Sequence, residues 1–198
     1  MSLMNIIAQV AGGDTTRQIS QQLGVDEKSA ETAISGALPV LIGALARNSA
    51  STDGAKSLSK ALDRDHDGSV LDDIAGFLGS GQSGSMGEAI LGHVLGGRRD
   101  AVETGIGRAS GLNASQVSQL MAMLAPLVMG ALGREKRRNG LDASGLSDVL
   151  GRQRSAIEGQ GQLGGLLGQL LDQDGDGQIM DDVANLSAGL LGKFMRSR

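Results

Sequence analysis

Residues 24–45 and 111–132 read as two versions of one segment. Gly24-Val-Asp-Glu-Lys-Ser-Ala-Glu-Thr-Ala-Ile34 aligns with Gly111-Leu-Asn-Ala-Ser-Gln-Val-Ser-Gln-Leu-Met121 at an offset of 87, and Leu38-Pro-Val-Leu-Ile-Gly-Ala-Leu45 aligns with Ala125-Pro-Leu-Val-Met-Gly-Ala-Leu132 at the same offset. The chain has two prolines, Pro39 and Pro126, and they fall at equivalent places. The similarity resumes at an offset of 88, with Ser57-Leu-Ser-Lys-Ala-Leu62 against Gly145-Leu-Ser-Asp-Val-Leu150. Each copy reads as helical. Asp26 and Asn113 are good N-caps, and Gly24 and Gly111 suit the C-cap of a preceding helix. Apolar Ala30, Ala33, Ile34, Ala37, Leu38, Leu41, Ile42 and Leu45 recur at helical spacing. Each proline removes one backbone donor, which predicts a kink or a new helical segment at that point.

No stretch shows the alternation of a half-buried strand. Only two aromatic residues, Phe77 and Phe194, are available, so the core is built from aliphatic side chains, Met and Ala. Such a composition suits helix-on-helix packing better than a sandwich. The expected fold is all-α and multihelical, with two tandem related helical repeats and Asp-rich loops that resemble EF-hand loops. Gly79-Ser-Gly-Gln-Ser-Gly-Ser85 has linker composition. It divides the chain into residues 1–79, with an acidic loop at 63–73, and residues 80–198, with a second loop at 172–182.

The two loops carry the chemistry. Asp63-Arg-Asp-His-Asp-Gly-Ser-Val-Leu-Asp-Asp73 and Asp172-Gln-Asp-Gly-Asp-Gly-Gln-Ile-Met-Asp-Asp182 hold ten of the 22 acidic residues and one of the 18 basic ones. The formal charge of −4 is therefore local, and the rest of the chain carries +5. Carboxylates packed this closely repel one another unless a cation sits between them. Alternating Asp with Gly at position 6 is the opening of a calcium loop, whose hard oxygen donors suit Ca2+ and leave Mg2+ as the second option. The candidate ligands are Asp63, Asp65, Asp67, the carbonyl of Ser69, Asp72 and Asp73 in the first loop. In the second they are Asp172, Asp174, Asp176, the carbonyl of Gln178, Asp181 and Asp182. Position 12 is Ile74 or Val183 rather than Glu, so closure falls one or two residues early, on one Asp of each pair. The expected affinity is weak, toward about 10⁻⁴ M. His66, at position 2, is expected to point outward, and His93 to be a surface or core residue of a helix.

Other features are weighed against plainer readings. Ile19 to Ile34 resembles a helix-turn-helix, which makes nucleic-acid association the alternative function. Its second helix opens with Asp26, Glu27 and Lys28 and carries Glu31, so packing is favoured over DNA binding. Arg134-Glu-Lys-Arg-Arg138 is the one dense basic run, and it reads as the solvated end of a helix. Cysteine is absent, neither histidine lies in a catalytic motif, and no phosphate-binding glycine loop is visible, so no enzyme is expected. No run of 18 consecutive apolar residues predicts a membrane span, and no export signal is visible, so the expected location is cytoplasmic.

Leu91-Gly-His-Val-Leu-Gly-Gly97, Ala109-Ser-Gly-Leu-Asn113 and Leu124-Ala-Pro-Leu-Val-Met-Gly-Ala-Leu132 resemble the bacterial domain of unknown function 937. The resemblance implies an all-helical bacterial protein, without an established activity, in which acidic loops recur. The functional expectation is a non-enzymatic calcium-binding scaffold or interaction protein. Its partners would be calcium and either another protein or a second copy of itself.

Overall fold

The computed structural model describes residues 10–158 together with Ala8. The second acidic loop, with Asp172, Asp174, Asp176, Gln178, Asp181 and Asp182, lies outside the described residues. Among the described residues there are eight α-helices and no strand: α1 Gly13–Leu23, α2 Glu27–Asn48, α3 Thr52–Asp65, α4 Ile74–Gly79, α5 Gln82–Val94, α6 Arg99–Ser110, α7 Ala114–Asn139 and α8 Ala143–Glu158. Short 3₁₀ turns at Ser69–Leu71 and Gly96–Arg98 complete the path.

The two long helices begin in the same way. Gly24 and Gly111 end α1 and α6 in the left-handed region, at φ 65° and 78°. Two residues later, Asp26 accepts from the Ser29 N–H at 2.9 Å, and Asn113 accepts from the Gln116 N–H at 3.0 Å. In α7 the cap is reciprocal, because the Gln116 side chain accepts from the Asn113 N–H. These bonds satisfy donors that a helix start leaves open. Both helices run through their prolines as single elements, so neither Pro39 nor Pro126 begins a new segment.

Helices α2 and α7 form the centre, in contact with each other and with α1 and α6; α5 and α3 add to the shell around α7, and α8 to that around α2. Every residue of α7 from Leu120 to Gly133 is buried, so the helix is apolar all round rather than on one face. By length and a mean hydropathy of 1.4, α2 and α7 would each qualify to cross a membrane, but the apolar windows concerned are 67% and 83% buried inside the fold. Their side chains are the core itself.

One close approach fixes where α5 lies. Pro126 leaves the Ala122 carbonyl without its helical donor. Gly87 of α5 sits against that carbonyl oxygen, and a Cβ on Gly87 would overlap it. The Gly79–Ser85 stretch, expected as a linker, is mostly helical: α4 ends at Gly79 and α5 begins at Gln82, leaving Ser80 and Gly81 between them. Residues on both sides of this break belong to one apolar core cluster.

Arg99 ties three helices together. Its guanidinium donates to both carboxylate oxygens of Glu88 on α5, at 2.5 and 2.7 Å. It also donates to Glu103 of α6 at 2.6 Å and to the Ser118 hydroxyl of α7 at 2.6 Å. Forked, charge-assisted contacts of this kind fix orientation as well as adding energy.

Candidate functional site

The acidic loop leaves the end of α3 and lies on the C-terminal third of α7. Contact begins with two missing side chains. A Cβ on Gly133 would overlap the His66 carbonyl oxygen, and one on Gly130 would stand 2.5 Å from Val70 Cγ1. Gly68, at φ 88°, faces the same helix, and a Cβ there would be 2.9 Å from both the Gly130 oxygen and Arg134 Cβ. The glycine at loop position 6 therefore serves two purposes. It adopts the left-handed turn, and it lets the loop backbone reach the helix.

The basic run supplies the counter-charges. Arg134 Nη2 donates to the Gly68 carbonyl at 2.6 Å and to Asp72 Oδ1 at 2.6 Å. Lys136 pairs with Asp63, and Arg137 Nη1 lies 3.5 Å from Asp67 Oδ2. The side chains of Lys136 and Arg134 are only 12% and 25% exposed, whereas those of Asp63 and Asp72 are 57% and 72% exposed. The cations thus lie beneath, with the carboxylates above them facing solvent. Exposed pairs of this kind contribute about 1 kcal/mol or less each. The Arg134 bond to a backbone carbonyl adds to them.

Each remaining ligand candidate has its own partner. Asp65 pairs with Arg64 at 2.7 Å, and hydrogen bonding from Arg64 holds its carboxyl below the ordinary range. Asp67 accepts from the Ser69 N–H at 2.9 Å, and bonding from Ser69, assisted by Arg137, lowers it in the same way. The Ser69 carbonyl accepts from the Asp72 N–H at 2.9 Å. Asp73 caps α4 by accepting from the Gly76 N–H at 2.8 Å. The donor set is chemically suited to calcium, being hard oxygens throughout. Its arrangement is not a cage, because no three carboxylate or imidazole groups converge among the described residues. The six candidates of the first loop are brought to one place and turned toward different partners.

His66, expected to point outward, is half-buried, and burial lowers its pKa against an opposing pull from Asp65. It lines a cavity of about 730 Å³ between α3, α5 and the core, which His93 also lines, together with Leu58, Ile90 and Met129. The loop's cationic partners were missed at the sequence level. Complementarity between the single basic run and the acidic loop was the signal available.

The helix-turn-helix-like segment is present as α1, the Gly24 turn and the start of α2. Its outward face carries Asp26, Glu27, Lys28 and Glu31, while Ala30, Ala33 and Ile34 point into the core.

No curated protein and no solved structure matches the chain. The family model for bacterial proteins of unknown function DUF937 matches residues 5–135. This span takes in the acidic loop, the glycines it rests on and Arg134. The chain belongs to the DUF937 family of bacterial proteins, and its described part is all-helical.

Proposed function

We propose that this protein is a non-enzymatic helical scaffold whose 63–73 loop takes up calcium weakly, in exchange for the protein's own cations. One observation carries the reading. Asp63, Asp67 and Asp72 stand on one loop, each more than half exposed, and each is paired with a cation of α7. A cluster that already attracts three side-chain cations is electrostatically prepared for a dication, and its oxygens are open to solvent. The two halves are further read as copies of one helical unit, on the strength of the aligned prolines, caps and glycine turns. In that reading residues 172–182 form the second loop of the same kind. The nucleic-acid alternative has less support, since the exposed start of α2 presents three acids and one lysine.

The exchange makes a distinctive demand on titration calorimetry. Calcium binds the full chain with a Kd near 10⁻⁴ M, in the weak range of known sites. Arg134→Met binds it more tightly, because a competitor has been removed, and Asp67→Ala reduces the heat by one site. If neither the wild-type protein nor Arg134→Met takes up calcium at millimolar concentration, the reading fails.

A further inference from the structure

Two arginines share one small cavity in which no described side chain answers their charge. Arg47 lies in the last turn of α2, and Arg98 in the 3₁₀ turn between α5 and α6. Both line a cavity of about 160 Å³ whose walls also include Asn48, Val94 and Val102, and none of the described lining residues is acidic. Nη1 of Arg47 is buried, and among the described residues nothing accepts a hydrogen bond from it. A guanidinium nitrogen withdrawn from water in this way costs on the order of a hydrogen bond or more unless an acceptor reaches it. The neighbouring acceptors are engaged elsewhere. Arg99 takes Glu88 and Glu103, while Asp100 is exposed and does not line the cavity. The Asn48 amide donates to the carbonyls of His93 and Val94, each at 3.1 Å. In the alignment of the two core helices Arg47 stands where Arg134 stands, and Arg134 holds a carboxylate, that of Asp72.

We propose that this cavity is a binding site for a phosphate group, held by Arg47 and Arg98. A guanidinium offers paired donors that match two phosphate oxygens, and it stays charged at any working pH. Two like charges on one cavity wall repel each other until an anion comes between them. A phosphate dianion answers both charges, where a carboxylate answers one. The volume admits one phosphate-sized group, so a larger molecule leaves its remainder at the mouth. The two helix ends at this cavity, those of α2 and α5, are both C-terminal. Their negative potential tempers the affinity, to a Kd of about 1 mM. The site lies apart from the acidic loop, and the proposal is independent of calcium.

A phosphate titration of the full chain tests it, in calcium-free buffer with the ionic strength held constant by chloride. Calorimetry should show saturable binding with a Kd of about 1 mM, and about 10 mM phosphate should raise the melting temperature by about 3–5 °C. Arg47→Met and Arg98→Gln each weaken binding by about tenfold or more, the loss expected for one charge-assisted hydrogen bond. Arg138→Gln, which removes an exposed arginine of α7, leaves binding unchanged. Glycerol phosphate separates the two sources of the group. Binding as tight as that of inorganic phosphate, or tighter, assigns the site to a phosphomonoester, and weaker binding assigns it to the free ion. The proposal is overturned if neither compound binds saturably below about 10 mM. It is equally overturned if Arg98→Gln binds as tightly as the wild type, or if Arg138→Gln weakens binding as much as Arg98→Gln does. Should Arg47→Met not fold, the Arg98 and Arg138 variants decide between these outcomes on their own.

Discussion

A single hydrogen atom in place of a methyl group decides whether the acidic loop can lie where it does. Gly133 leaves room for the His66 carbonyl, and no side chain on that helix can rotate away to make the same room. Gly133→Ala is therefore expected to lift the loop and cost on the order of 2–3 kcal/mol, as overpacking does. Urea unfolding of the variant measures this, and a loss below about 0.5 kcal/mol would show that the loop is not seated there. At this scale the sequence was only partly legible. The Asp and Gly pattern of 63–73 was visible as a cation-seeking loop, and Gly68 as its turn. The dependence on Gly130 and Gly133 was not, because a glycine within a helix carries no mark of what lies against it. Asp72 and Arg134 are 62 residues apart, and no local pattern connects them.

At the scale of elements, the helices follow from their ends. Gly24, Asp26, Gly111 and Asn113 mark the turns at which α2 and α7 begin, and each occupies the cap position its residue type favours. Of the two outcomes expected at the prolines, a kink or a new segment, the new segment does not occur. Burial accounts for the continuity, because α7 is enclosed along Leu120–Gly133 and that packing offsets the backbone bond removed by Pro126. The freed Ala122 carbonyl becomes the point at which α5 makes its closest approach, through Gly87. Gly87→Ala should push α5 off α7 and lower stability by about 3 kcal/mol. It should also weaken the Arg99 bridge that spans α5, α6 and α7. Equal melting temperatures for Gly87→Ala and the wild type would mean that this crossing tolerates a methyl group.

At the scale of the whole molecule, the fold is held by an aliphatic core and oriented by sparse polar links. The linker composition of 79–85 was misleading for a related reason. Ser and Gly are also what a close helix crossing requires, and Ser83 and Gly87 are buried in it. The carboxyls of Asp26, Glu88 and Asp142 are held below their ordinary range by Ser29, by Arg99 and by the Gly145 N–H, respectively. A depressed folded-state pKa contributes stability that is present above the unfolded value and lost as pH falls through the folded one. The melting temperature should decline gently from pH 7 to about 5, where the unfolded chain protonates His66 before the folded one does, and fall more steeply below about 4 as the carboxyls protonate. Glu88→Gln should flatten part of that fall, and a variant that retains the full slope would remove Glu88 as a contributor.

The docking of the acidic loop on α7 also sets an order of events during synthesis. Asp63, Asp67 and Asp72 leave the ribosome well before Lys136 and Arg137, which neutralise two of them. For that interval the nascent chain carries an uncompensated cluster of negative charge at the end of α3. The first half can form its helices early, but it cannot close its own surface until the last turn of α7 has emerged.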